Sequence, residues 1–376
     1  MTRRTCVFGP AYLDRVLLVD RPLSGDGSGP PLDRSVEGRL ETGDGLDLID
    51  PSGSQIRVVP PADWPGPTGR LLLSRPLFEG TTPRLRSARG LSWHDDLGGM
   101  GAGYAKAFGG RLVSALGSED DSTSRAVGAS LEREGIDHHP VRVEGQSADW
   151  TLLVTSGPFG DKMPIGFRGC HAAVATFIAG GGDLDCDLLA VAGLANRQIG
   201  PLLEAEGPAV RFLAPAMRNM VDREVPLGSL AGPIDVLSCN RGEWEALADR
   251  DALADQVAIL AITEGPRGSR VRFRSASGGR EEVHIPAFPR DEPPRDTNRA
   301  GEAYAATLVA TLLDEGWRPG PVSESLVRQA ALRASAAAAL VIGRSRFGLP
   351  DKAEIDRAIR AGRVAADSGG EPGDVR

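Results

Sequence analysis

The sequence predicts an α/β protein built on a mainly parallel sheet with helices on both faces. Two observations carry that expectation. From Asp96 onward, short apolar runs rich in β-formers alternate with helical stretches, which is the pattern of βαβ crossovers. Glycine-rich turns also stand directly before helices, where open α/β sheets gather ligands beyond the carboxyl ends of their strands.

Taken in order, Thr5 to Phe8 reads as a first strand closed by Gly9-Pro10, and Val16 to Val19 as a second apolar run. Asp14 is then expected in the loop beyond the first strand. Residues 24–63 are dominated by Gly, Pro, Ser and Asp with one apolar patch, Ile56 to Val59, and read as an insertion or irregular lobe rather than a βα unit. The run Gly98-Gly99-Met100-Gly101-Ala102-Gly103 opens a helix reaching Phe108; Arg111 to Ala115 predicts a strand and Ser122 to Glu134 an amphipathic helix stopped by Gly135. Further strands are expected at Trp150 to Thr155, Leu188 to Val191, Val210 to Leu213, Val236 to Ser238, Ala258 to Thr263 and Val271 to Phe273. Helices fall between several of them, at Gly242 to Leu247 and Ala252 to Val257, and the last third is helical over Glu302 to Leu313 and Ser323 to Ile342. The Gly/Asp/Glu-rich tail from Asp367 is expected to be disordered.

The 51 acidic and 43 basic residues leave a formal charge of -8, which argues against a general nucleic-acid or anionic-membrane binder because neither polyanion is drawn to the average surface. The cysteines, Cys6, Cys170, Cys186 and Cys239, lie far apart without a CxxC pair, and the histidines make no ligand-spaced cluster apart from the adjacent His138 and His139. That usage favours reduced thiols over a zinc site or disulfide framework, and so a cytoplasmic setting. Met1 to Asp20 superficially looks like a signal peptide, but Asp14 and Arg15 interrupt its apolar run. No stretch approaches the ~18 uncharged apolar residues that span a bilayer, so a soluble protein is expected.

The segment Asp296-Thr297-Asn298-Arg299-Ala300-Gly301-Glu302, running into an apolar helix, narrows the function most. A small-residue turn opening a helix leaves backbone N–H groups unpaired and aimed outward, with the helix dipole adding partial positive charge there. Anions collect at such a point. A carboxylate in the first helical turn, Glu302, stands where it can take a proton from a hydroxyl attacking a bound phosphate.

These residues resemble the DTxGAGD signature of the ribokinase-like (PfkB) carbohydrate kinase family, in which the GAG backbone forms an anion hole and the final Asp is the catalytic base. Arg299 stands at the first Gly and Glu302 at the terminal Asp. Other pieces follow in the family's order. Asp14 falls where the family keeps a sugar-binding Asp, and Gly98-Gly99 resembles the GGxxxN element lining the sugar pocket, with Gly103 at its Asn. Asn240 to Glu243 is similar to the NxxE motif, whose Glu organises magnesium-bound waters; one carboxylate acting through water suits a cation that keeps its hydration. The residues Thr263, Gly265 and Gly268 match a TxGxxG turn approaching ATP, and the helix around Ala331 and Ala334 resembles the one bordering adenine.

The resemblance implies a ribokinase-like three-layer α/β/α sandwich with a mainly parallel central sheet and a small β lid. It implies one domain over 1–366, with lid and insertion elements within 12–96 and 150–168, ahead of the tail 367–376. The implied activity is ATP- and Mg2+-dependent phosphorylation of a hydroxyl on a sugar, nucleoside or polyol. Glu302 acts as base, the amides of Ala300 and Gly301 hold phosphoryl oxygens, Arg299 adds charge, and Asn240, Glu243 and Asp296 serve the nucleotide side. Arg168, on the lid, is expected to reach an acidic substrate group. A monovalent cation and a homodimer through the lid are compatible with the resemblance; a nucleic acid or membrane partner is not expected. The replacements at Gly103, Arg299 and Glu302 leave two alternatives open: a catalytically impaired nucleotide- or metabolite-binding protein, or a lyase or hydrolase acting on a phosphorylated sugar through the anion hole.

Overall fold

Alternation within single strands decides how the central layer is covered. In the computed structural model, which describes residues 3–23, 36–43, 45–66, 68–77, 84–156, 162–174, 184–292, 298–342, 344 and 348–364, nine strands form one sheet in the order β17-β16-β15-β14-β13-β12-β1-β8-β9. These are β1 Thr5–Phe8, β8 Arg111–Leu116, β9 His138–Arg142, β12 Leu188–Ala192, β13 Val210–Ala214, β14 Val236–Asn240, β15 Ile259–Thr263, β16 Ser269–Arg274 and β17 Arg280–Ile285. Pairing is parallel from β9 to β15 and antiparallel across β15, β16 and β17. The central strands are buried on both faces, and so read as unbroken apolar runs such as Leu188 to Ala192.

One face turns Val7, Leu112, Leu188 and Ala190 toward a core shared with α1 Met100–Phe108, α2 Ser122–Arg133, a long helix Ala300–Asp314 and another, Glu324–Val341. The opposite face turns Phe8, Val113, Leu189 and Val191 toward α3 Asn196–Glu204, α4 Met217–Met220, α5 Arg241–Ala246 and α6 Arg250–Gln256. The two long helices are α7 and α8, and α9 Lys352–Ala361 packs on α8. The expected three-layer α/β/α sandwich is therefore present, and no helix among the described residues is long and apolar enough to cross a membrane.

The segment read as irregular is ordered differently. Strands β2 Tyr12–Val19, β3 Val36–Thr42, β4 Leu46–Ile49, β5 Gln55–Val59, β6 Gly69–Leu73, β7 Leu85–Gly98, β10 Trp150–Thr155 and β11 Lys162–Phe167 close into a barrel in the order β10-β11-β3-β6-β4-β5-β7-β2. The expected small lid is thus a closed barrel with its own core, including Leu17, Leu46, Leu48, Val58, Leu71, Leu152 and Ile165, all with no or almost no exposed surface. Asp14 is corrected as well: it lies inside β2, paired with Asp96 of β7 and Thr151 of β10, because the strand begins at Tyr12 rather than Val16. The tail 367–376 lies outside the described residues.

Side chains of the barrel wall alternate between its filled interior and its outside. Leu48 is fully buried in that interior, so Leu48→Ala is expected to lower unfolding stability by about 2 to 5 kcal/mol, measured by urea titration with circular dichroism.

Candidate active site

The candidate residues lie on the barrel's outer wall and on the segments that leave the parallel sheet. Register puts Asp14, Thr151 and Gly166 in one row across β2, β10 and β11, with Asp96 beside Asp14 on β7. Strand alternation then carries Val16 with Leu153 and Pro164, and Leu18 with Thr155 and Lys162, to the same outer face. Leu17, Leu152, Val154 and Met163 take the inner one.

At the base of the wall the chain passes from β7 to α1 through Gly98 and Gly99. A β-carbon at residue 98 would collide with the Asp14 carboxylate, and one at 99 with the Pro10 carbonyl; Gly99 also takes φ 93°, open to glycine at little cost. These glycines let a carboxylate lie directly against backbone. Burial pushes the Asp14 carboxyl up to about 6; Asp96 adds to that, while Arg299, Lys162 and a hydrogen bond from Thr151 oppose it. Asp96, Thr151 and Lys162 are site residues that sequence reasoning missed. Only strand register brings them to Asp14.

Helix α7 faces this wall. Arg299 is its N-cap, with φ 63°, the only non-glycine residue at positive φ among the described residues. That conformation costs roughly 1 to 2 kcal/mol for an L-residue. Its guanidinium donates to Asp96 Oδ2 at 3.1 Å and to the Leu97 carbonyl at 2.6 Å, tying the start of α7 to the barrel strand that flanks Asp14. The resemblance implies that Arg299 adds charge at the anion hole; here its side chain reaches across to the barrel strand beside Asp14.

The first helical hydrogen bond runs from Ala303 N–H to the Arg299 carbonyl at 2.9 Å. The N–H groups of Ala300 and Gly301 precede it, and Gly301 opens on unoccupied space. Glu302 follows, partly buried, with its stem over Gly103 of α1. Burial raises its carboxyl above the ordinary range, against its own backbone N–H and the charges of Arg299 and Lys162. Asp296 lies outside the described residues.

At the end of β14, Asn240 and Glu243 form a reciprocal cap on α5. The Asn240 side chain accepts from the Glu243 N–H at 2.9 Å, and Glu243 Oε2 accepts from the Asn240 N–H at 2.8 Å. Burial raises the Glu243 carboxyl, opposed by that N–H, and the Glu302 charge raises it further, so the two acids sense each other. No group of three or more His, Cys, Asp or Glu among the described residues could hold a metal. One oxygen of Glu243 beyond its cap bond, facing a second acid, fits a hydrated magnesium ion that takes its other ligands from water and phosphate.

Thr263 ends β15, and the turn after it uses Gly265 at φ 59° and Gly268 at φ 93°, where a β-carbon would collide with the Ile285 carbonyl. Ala331 and Ala334 have no exposed surface and pack into the core, so they support α8 and present no surface to a base. Arg168 lies 4.7 Å from the Tyr12 ring centroid and 3.8 Å from Asp149, so its guanidinium is held at the barrel's base.

The profile of the pfkB family carbohydrate kinases matches residues 85–353. The chain belongs to that family. This pfkB member is similar in fold to ribokinase from Giardia lamblia, at TM-score 0.62 and 16% identity, over 96% of this chain and 100% of that one. It is also similar to a Burkholderia thailandensis nucleoside kinase in complex with inosine, at 0.59 and 15%, over 95% and 98%. Ribokinase of Arabidopsis thaliana complexed with ribose and ATP gives 0.57 and 15%, over 96% and 99%. No curated protein matches this pfkB member.

The raised Asp14 carboxyl has a stability consequence of definite sign. Its folded value near 6 exceeds the ordinary 3.8, so the folded state binds this proton more tightly than the unfolded chain. The ionised carboxylate therefore costs nothing below the lower value, and its cost grows as pH rises between the two and is complete above the higher one. Asp14→Asn is expected to raise the thermal midpoint at about pH 8 and to lose that advantage near pH 4. Arg299 pulls this carboxyl down, so Arg299→Gln should move its titration midpoint, followed by carboxyl NMR, above 6.

Proposed function

We propose that this protein transfers the terminal phosphoryl group of ATP to a hydroxyl of a small polar metabolite, a sugar, nucleoside or polyol. The observation that carries the reading is the joint placement of Glu302 and the leading amides of α7 opposite Asp14, with Arg299 acting electrostatically on both acids. Neighbouring folds hold ribose with ATP in one case and inosine in another, which supports an acceptor of that size.

In this reading Asp14 accepts hydrogen bonds from acceptor hydroxyls, and its seat against Gly98 fixes where they lie. Glu302 takes the proton of the attacking hydroxyl; its raised affinity for a proton suits a base that must gain one during transfer. The Ala300 and Gly301 amides stabilise charge on the moving phosphoryl oxygens, assisted by the positive end of the α7 dipole. Glu243 would hold magnesium through water; the ion supplies charge neutralisation at the phosphates. Arg299 serves as a positioning residue, holding the barrel wall and the amide cradle at fixed separation through Asp96.

A magnesium-ATP screen against sugars, nucleosides and polyols tests the proposal. Acceptor-dependent ADP formation is expected, with Glu302→Gln lowering kcat by about a hundredfold to ten-thousandfold while nucleotide affinity, read by calorimetry, is retained. Nucleotide binding without turnover on any acceptor would instead support a binding protein. Phosphate release from a phosphosugar without nucleotide would favour lyase or hydrolase chemistry.

A further inference from the structure

Two residues that depart from the resembled motifs meet in space. Gly103 lies on α1 and Glu302 on α7, and the two helices pack side by side in one core. A β-carbon built at residue 103 finds three nearest neighbours, all from one side chain: Glu302 Cγ at 3.3 Å, Cβ at 3.7 Å and Oε1 at 3.9 Å. The space above Gly103 is therefore filled by the stem and carboxylate of Glu302. At 3.3 Å a β-carbon requires the Glu302 stem to give by a few tenths of an ångström, and a longer side chain directed the same way would compete with Glu302 for one space.

The two departures are opposite in size. Position 103 loses a side chain where the motif has Asn, and position 302 gains one methylene where it has Asp. We infer that Gly103 and Glu302 form one steric unit, in which Gly103 is a positioning residue that lets the longer acid fold back over α1 and keep its carboxylate in the cleft. A single carboxylate then fills the space of two side chains. The catalytic half of this inference rests on the kinase reading; the steric half rests on the packing of α1 against α7.

A double-mutant cycle separates the two. Wild type, Gly103→Asn, Glu302→Asp and the double variant are compared by thermal unfolding, which needs no substrate, and by kcat with magnesium-ATP and an acceptor. Gly103→Asn is expected to lower Tm by about 2 to 4 °C more when Glu302 is present than when Glu302→Asp accompanies it. The same substitution is expected to lower kcat by about a hundredfold alone, with at least a tenfold part recovered in the double variant. Equal effects of Gly103→Asn in both backgrounds, in Tm and in kcat, would overturn the pairing. Coupled Tm values in a protein without acceptor-dependent turnover would uphold the steric unit and overturn the kinase reading beneath it. Gly103→Ala, which adds only the β-carbon, keeps the cycle readable where Asn prevents folding.

Discussion

The ion pair between Arg299 and Asp96 ties the N-cap residue of α7 to the barrel strand that runs beside Asp14. The barrel has an apolar interior of its own, while Leu13 of β2 and Leu97 of β7 turn the other way into the core of the sandwich, so apolar packing and the Arg299 contact together set how the two lie. Arg299 makes that contact from the very residue that begins α7, and adopts left-handed backbone to do so. The barrel wall beside Asp14 and the start of α7 thereby share one anchor. A glycine would meet the backbone requirement alone; the guanidinium adds a tether at the cost of conformational strain.

Around that anchor the electrostatics are finely divided. Asp14, Asp96, Glu243 and Glu302 bring four acids into one region, with Arg299 and Lys162 as the positive charges acting on Asp14 and Glu302. Burial disfavours ionisation of three of these acids, and their mutual repulsion adds to it for Asp14 and Glu243. A cation or a hydrogen-bond donor brought into this region would relieve that buried negative charge.

Much of the sandwich was legible in the sequence because parallel strands buried on both faces are unbroken apolar runs, as at Leu188 and Val236. The glycine turns were legible for a related reason: close backbone approach at Gly98 and Gly99 tolerates no side chain. The barrel was not. Its strands β4, β5 and β6 are short, β5 alternates apolar with polar residues, as in Gln55-Ile56-Arg57-Val58, and Gly and Pro dominate the composition around them. Asp96, Thr151 and Lys162 carry no local signal; their neighbourhood with Asp14 arises from pairing between strands distant in sequence. Ala331 and Ala334 illustrate the converse, since composition marked the helix but not which of its faces turns inward.

Closure of the barrel also restricts how the cleft can change its width. A sheet whose every strand has two hydrogen-bonded neighbours has no edge that can peel back, and its packed interior resists flattening. The cylinder is joined to the sandwich by a few backbone segments. Two of these, residues 9–11 and Gly99, lie against each other where Gly99 meets Pro10. A pivot at that point would swing Asp14 only slightly while carrying Lys162, two rows further up the outer wall, through a larger arc.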